Sequence, residues 1–353
     1  MTVLARRVAP AQPWVVVKAD GYGHGAAPVA LAALGAGATG LCVALAAEGV
    51  ALRAAGIEAP ILVLSEQPPE LAPLLVAHGL AATVYTAAGV DALAGAAGRA
   101  PHPVHLKLDT GMHRVGARPA DAAALVARIA SAPGLRLAGV FTHLAMADEP
   151  DLPVTGAQLA AFDAALAELA PGPDVLVHAA NSAGALAHAA AHRSLVRLGI
   201  AVYGLPPGPG VAALSHDLRP ALALKARVAF VKRLRAGDRL SYGHRHELAG
   251  DATVATLPIG YAAGVPRRLF ATGGQVLVGG RRRSIVGVVT MDQLLVDCGD
   301  DDVAVGDEAV LIGRQGDDEV TATEWADRLG TINYEITCGI SPRVPRRYGA
   351  PAR

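Results

Sequence analysis

Chemistry-bearing side chains sit directly behind apolar runs at several points in this 353-residue chain. Lys18 follows Trp14-Val15-Val16-Val17 and leads into "ADGYGHG". Lys107 and Asp109 end "VHLKLDT", His143 ends "LRLAGVFTH", Asn181 and Ser182 end "DVLVHAANS", and Arg197 and Gly199 lie in "SLVRLGIAVYG". A lysine desolvated at the end of a buried strand has its pKa pushed toward the neutral amine, the form that attacks carbonyl groups and makes imines. Taken singly, Lys18 also reads as a surface lysine paired with Asp20, and each of the others as a strand-end group reaching water. Their recurrence at the same end of successive strands favours one shared mouth.

The elements that would position them alternate regularly. Strand candidates are 14–19, 40–44, 60–65, 81–86, 104–110, 135–143, 174–182 and 194–204, separated by alanine- and leucine-rich helical stretches such as "PADAAALVARIASA". Runs this apolar suit parallel strands buried on both faces. Eight strand-helix units in this length predict a closed (β/α)₈ barrel of the TIM type over residues 1–210, whose site lies at the C-terminal ends of its strands. An open doubly wound sheet is the alternative. After the proline- and glycine-rich "LPPGPGVAALSHDLRP", short β-branched segments bounded by glycine turns predict a mainly-β domain over 211–353. "TATEWADRLG" reads as a helix with Thr321 as its N-cap and its end near Gly330.

Composition narrows the function classes. The chain is 52% hydrophobic and 18% charged with a net charge of zero, which offers no electrostatic footprint for nucleic acid or an anionic membrane. Cys42, Cys298 and Cys338 are widely spaced and odd in number, against a disulfide framework and in keeping with a reducing cytoplasm. No signal peptide is read at the N-terminus. The uncharged stretch 25–47 is long enough to span a bilayer, but its glycines and Pro28 break it into helix, turn and strand. Within it, Gly35-Ala-Gly37-Ala-Thr-Gly40 matches the dinucleotide pattern, yet the helix precedes it and the strand follows. That order is the reverse of the one that aims a helix N-terminus at phosphate, so the glycines read as a cap and turn. His188 and His192 have metal-ligand spacing without a third ligand and read as a surface helix pair, and no metal site is expected.

"VVVKADGYGHG" resembles the pyridoxal phosphate (PLP) lysine motif of bacterial alanine racemases. Further matches follow in order: "HLKLDTGMHRVG", "THL", "ANSAG", "VRLGIAVYG", "LSYGHR", "LPIGYAAGVPRR", "GVVTMDQLLVD" and "INYEITCGISPRVPRRY". The resemblance implies a barrel carrying PLP, a β domain that completes the active site of a partner subunit, and therefore a head-to-tail homodimer. The implied activity is interconversion of L- and D-alanine, supplying D-alanine for peptidoglycan. Lys18 would hold PLP through an imine and serve as the base on one face, with Tyr242 of the other subunit serving the opposite face. His143 and Arg197 would support the tyrosine, and Arg197 would face the pyridine nitrogen. Tyr22, Ser182, Tyr334 and the backbone at Gly199 and Ile200 would hold the phosphate, with Asn181 in the same cofactor-binding set.

Arg114 and the backbone at Met291 would meet the substrate carboxylate, with Asp292 beside them, and Tyr261 would narrow the entrance. Lys107 matches a lysine that is carbamylated in many family members and would then orient Arg114. Ala263 replaces the acidic residue of the family's "GYADG", and the family ordinarily has a strand and most of a helix ahead of the segment that begins here. A serine or broad-specificity racemase shares this pattern. A basic amino-acid decarboxylase shares the two-domain plan but not "SYGH" and "MDQ" with arginine at 197, and a non-enzymatic PLP-binding protein resembles the barrel half alone.

Overall fold

A computed structural model describes residues 1–349. It divides into two compact units, Met1–Arg219 and Pro220–Arg353. The first unit runs past the expected end at 210. The reason is local: the 3₁₀ segment Pro209–Ser215 buries Val211 and Ser215, and Arg7 Nη1 donates to the Leu214 carbonyl at 2.6 Å.

In the first unit, β1 (Gln12–Val16), β2 (Gly40–Val43), β3 (Ile61–Val63), β4 (Ala81–Val84), β5 (His102–Lys107), β6 (Leu135–Phe141), β7 (Leu176–His178) and β8 (Leu195–Leu198) form one parallel sheet. The strands run in sequential order from β1 to β7, with β8 beside β1. The amides of Ser194 and Arg197 donate to the Val177 and Ala180 carbonyls, which joins β8 to β7 and makes the ring. A doubly wound sheet would leave two edges, so that alternative is excluded.

Alternate strand residues divide the work. Val15, Val17, Leu41, Val43, Ile61, Val63, Val104, Leu106, Val140, Val196 and Leu198 pack in one core with helix residues such as Leu52, Val90, Leu125 and Phe162. Because side chains alternate across a strand, the intervening Trp14, Cys42, Leu62, Thr83, His105, Lys107, Phe141, His178 and Arg197 face the inside of the ring, where all are buried. The apolar runs therefore conceal a polar interior.

The decoy glycines behave as read. The helix Ala26–Gly35 ends at Ala36, and Gly37 turns the chain at φ 98°. The histidine pair does not sit on a surface helix. His188 ends the short helix Ser182–Ala187 and donates through Nε2 to the Ala147 carbonyl, while His192 follows a 3₁₀ turn and reaches the Ala185 carbonyl at 2.7 Å. Half-burial makes each ring satisfy a backbone acceptor. No helix among the described residues is long and apolar enough to cross a membrane.

The second unit is an antiparallel sheet. Its strands are β9 (Leu224–Arg227), β10 (Phe230–Leu234), β13 (Ala252–Leu257), β14 (Gln275–Val278), β15 (Arg281–Val286), β16 (Leu294–Asp297), β17 (Glu308–Gln315) and β18 (Asp318–Val320). The remaining strands, β11 (Arg239–Leu240) and β12 (His246–Glu247), pair separately. The helix Ala322–Leu329 starts where expected: Thr321 accepts from Glu324 N at 2.9 Å, and Gly330 ends it at φ 70°.

Candidate active site

Lys18 stands where β1 stops being a strand. Ala19, Asp20 and Gly21 then adopt left-handed angles (φ 52°, 51° and 61°), and Tyr22 follows at φ 53°. For residues with a Cβ this costs roughly 1–2 kcal/mol each, so the turn needs external support. Gly21 and Gly23 donate to the carbonyls of Val17 and Ala19, Ala19 N donates to Glu48 Oε1 at 2.7 Å, and Ala26 N donates to Asp20 Oδ1 at 2.8 Å. Asp20 thus holds the turn, which removes the surface-pair reading of Lys18. The turn brings Lys18 and Tyr22 to the same end of the ring.

Arg197, 3% exposed, lies inside the ring. Its Nη2 donates to the carbonyls of Thr142 (2.8 Å) and Ala179 (2.9 Å) and lies 3.4 Å from His143 Nδ1, while Nη1 lies 2.6 Å from His178 Nδ1. A guanidinium has no acceptor, so His178 Nδ1 must accept and its proton must sit on Nε2. That proton points at His105 Nδ1, 3.0 Å away. The two imidazoles form a neutral chain behind the guanidinium. Burial and the Arg197 charge hold His178 well below the ordinary imidazole range, burial with Arg136 and Arg197 pushes His105 down to about 3, and burial lowers Arg197 itself to about 10. The Phe141 ring stacks on His178 and lies 5.1 Å from the guanidinium carbon.

Lys107 ends β5 with its ammonium 5.8 Å from the same Phe141 ring. Burial first, then the charges of Arg114 and Arg197, lower its pKa to about 8 despite Asp109. His143 is shifted well below the imidazole range by burial, then by Arg197, Lys107, Arg114 and Lys18. These groups are therefore mutual neighbours, as the strand-end reading expects. Asp109 Oδ1 accepts from Gly111, Met112 and His113 N, each at 3.0 Å, and so shapes the loop that carries Arg114. Burial works to raise the Asp109 pKa, but those amides and His113 outweigh it and the net shift is downward.

The expected phosphate group is compact. Ser182 Oγ accepts from Gly199 N at 2.8 Å and from Ala201 N at 3.4 Å, while Ile200 opens the following 3₁₀ turn. A Cβ built on Gly199 would lie 2.5 Å from Tyr22 Oη and 3.8 Å from Ser182 Oγ. Only glycine leaves room where those two hydroxyls converge. Neutral donors around an open backbone suit a phosphate dianion, and a buried cation with neutral imidazoles suits a ring nitrogen kept unprotonated; these residues fit PLP. Asn181 borders this cluster in sequence: its Oδ1 caps Gly184 N at 2.9 Å and its Nδ2 reaches the Leu144 carbonyl at 3.4 Å.

In the second unit Tyr242 is 74% exposed on a turn whose flanking Ser241, Gly243 and His244 all have positive φ. Tyr242, Tyr261, Arg267, Met291 and Asp292 line one recess of about 560 Å³. Two loops cross beneath it: Tyr261 N donates to the Thr290 carbonyl and Ala262 N to the Met291 carbonyl, both at 3.0 Å. Asp292 pairs with Arg343 at 2.9 Å. Ala263 accepts from Ser341 N through its backbone. Tyr334 is half-buried on the helix Asn333–Cys338.

Sequence reading missed His105, His178 and Glu48. The histidines carried a usable signal, since His105 shares the strand face of Lys107, two residues away, and His178 ends the strand before Asn181. Glu48 carried none for its bond to Ala19, because that partner lies in the loop after a different strand.

The whole chain matches known proteins in this arrangement. A family model described as "Alanine racemase, N-terminal domain" matches residues 1–207, and one described as "Alanine racemase, C-terminal domain" matches 221–348. An alanine racemase of Symbiobacterium thermophilum is 53% identical over 339 residues, covering 95% of this chain and 89% of that protein. One of Thermobifida fusca is 46% identical over 361 residues, covering 100% and 96%. A solved alanine racemase from E. faecalis has a TM-score of 0.92 at 39% identity over 99% of this chain and 96% of its own. With a closed parallel ring and an antiparallel second unit, and with these matches over nearly its full length, the chain belongs to the alanine racemase family.

Proposed function

We propose that this protein interconverts L- and D-alanine with PLP held at the mouth of the barrel. The observation that carries the reading is the convergence of Lys18, Lys107, His143 and the buried Arg197 at one end of the ring, with the Tyr22, Ser182 and Gly199 cluster beside them. PLP, bound through Lys18, supplies the electron sink that makes the substrate Cα–H acidic. The protein's own residues set everything else. Racemisation removes the Cα proton from one face and returns one to the other, so it needs a base on each side. The Lys18 amine serves one face and the Tyr242 phenol of a second copy serves the other.

Arg197, its pKa lowered by burial only to about 10, keeps its charge across the physiological range, and with PLP bound it would hold the ring nitrogen unprotonated. A weaker sink limits side reactions that need a long-lived carbanion. His178 and His105 hold the guanidinium in register, and His143, neutral, joins it to the tyrosine side. Arg114 and the backbone at Met291 take the substrate carboxylate, and Tyr261 narrows the recess toward a methyl side chain. Carbamylation of Lys107 replaces a buried cation by an anion suited to Arg114. The protein works as a homodimer in the cytoplasm, where its thiols stay reduced, and supplies D-alanine for peptidoglycan.

The test is to incubate the purified protein and PLP with single enantiomers of alanine, serine and lysine in D₂O, following optical rotation and Cα deuteration. Exchange with inversion for alanine, much slower for the others, is expected. No exchange with any of them would sink the proposal, and faster exchange with serine would replace alanine as the substrate.

A further inference from the structure

The left-handed turn after Lys18 is held from outside by one carboxylate. Glu48 lies in the first turn of the helix Ala46–Ala54, which follows β2. One oxygen does a local job: Oε2 accepts from Ala44 N at 2.8 Å and Leu45 N at 3.0 Å, fixing the start of its own helix. The other oxygen leaves that helix. Oε1 accepts at 2.7 Å from the amide of Ala19, the residue next to Lys18 and the first of the left-handed turn. An ordinary capping glutamate needs only the first set of bonds. The second set couples two strand-end loops through one rigid group.

The loop that carries Glu48 is itself anchored. Gln67, beyond β3, donates through Nε2 to the carbonyls of Ala44 (3.2 Å) and Ser65 (3.0 Å) and accepts from Ala46 N at 3.0 Å. Its neighbour Glu66 accepts from Tyr85 N, Thr86 N and Thr86 Oγ1, beyond β4. Side-chain acceptors thus join the loops of four consecutive strands around the rim, and Glu48 is the member that ends on the lysine turn. Amide bonds to a carboxylate are stronger than neutral ones, which matches the need to hold residues in a conformation their Cβ atoms disfavour.

We propose that Glu48 is a positioning residue, whose carboxylate holds the left-handed turn at Ala19 and so fixes the direction of the Lys18 amine and the Tyr22 hydroxyl toward the cofactor. This rests on Lys18 as the PLP-bearing residue, but its first test does not. In the PLP-free full-length protein, amide hydrogen exchange across residues 17–25 is compared for wild type, Glu48→Gln and Glu66→Gln. Gln keeps one acceptor oxygen and the side chain's size, so the fold is expected to persist. Glu48→Gln should raise exchange in this segment by about tenfold or more while β5 and β6 keep their protection. Glu66→Gln removes a comparable clamp elsewhere on the rim and should leave residues 17–25 unchanged.

The second readout is the rate at which Lys18 takes up added PLP, followed by visible absorbance and by borohydride trapping. Glu48→Gln should slow it about tenfold and lower kcat more than it raises the KM for alanine. Glu48→Asp, too short to bridge the two loops, should behave like Gln. Unchanged exchange and uptake in Glu48→Gln, or equal effects from Glu66→Gln, would overturn the proposal and leave Glu48 as a helix cap. If the wild type failed to racemise alanine, the exchange result would still stand or fall by itself.

Discussion

At the scale of the residue, the site is a set of groups whose protonation is decided by neighbours. Tyr242 makes the simplest prediction. Tyr242→Phe removes only a hydroxyl from a largely exposed ring, so the fold and the PLP absorbance should persist while racemisation falls by roughly 10²- to 10⁴-fold, as expected for loss of a positioned base. Near-normal racemisation in that variant would remove Tyr242 from its role. Lys107 makes a subtler one. Burial and two arginines lower its pKa from 10.5 to about 8. An unmodified Lys107 therefore penalises the fold fully below pH of about 8, and the penalty lifts as pH rises toward the ordinary value. At about 1.4 kcal/mol per unit this is on the order of 3 kcal/mol at neutrality. In CO₂-free buffer Lys107→Met should accordingly melt higher than wild type near neutrality, with the gap closing as pH rises. Added bicarbonate should raise the melting temperature of wild type but not of Lys107→Met, and intact mass should show the gain of one CO₂. A wild type indifferent to bicarbonate would mean that Lys107 remains an amine.

At the scale of the element, short turns matter more than the strands they follow. Gly199 sits between β8 and the Ile200–Tyr203 turn, and a Cβ there would collide with Tyr22 Oη. Gly199→Ala should weaken PLP binding by about tenfold or more, read as the dissociation constant of the cofactor, because one hydroxyl must leave the phosphate cluster. A melting temperature that falls instead, with cofactor affinity intact, would show that the clash is relieved elsewhere. The strands were legible in the sequence because each buried run is apolar, β-branched and flanked by turn residues. The helix after Thr321 was legible at both ends because capping is written in adjacent residues. The left-handed turn was not, since "ADGYG" offers glycines at two positions while Ala19, Asp20 and Tyr22 adopt positive φ only under bonds from Glu48 and the turn's own carbonyls.

At the scale of the whole molecule, the proposal divides one active site between two chains, and mixing tests this directly. Lys18→Ala and Tyr242→Phe should each be nearly inactive alone. Co-refolded in equal amounts, random pairing makes about half of the dimers mixed, each with one intact site, so activity should recover to about a quarter of wild type. If both residues of a site came from the same chain, no mixture would recover. A formal net charge of zero gives the chain little net long-range field.

By itself the sequence determined the order of eight strands, the change of texture near residue 220, and the placement of Lys18, Lys107, His143 and Arg197 at strand ends. Those follow from burial, whose period is written locally in residue types. Tertiary structure alone decided that β8 meets β7, that His178 and His105 stand neutral behind Arg197, and that Glu48 reaches Ala19. Each of these depends on which distant residue lies opposite once the ring closes, and no local pattern carries that information.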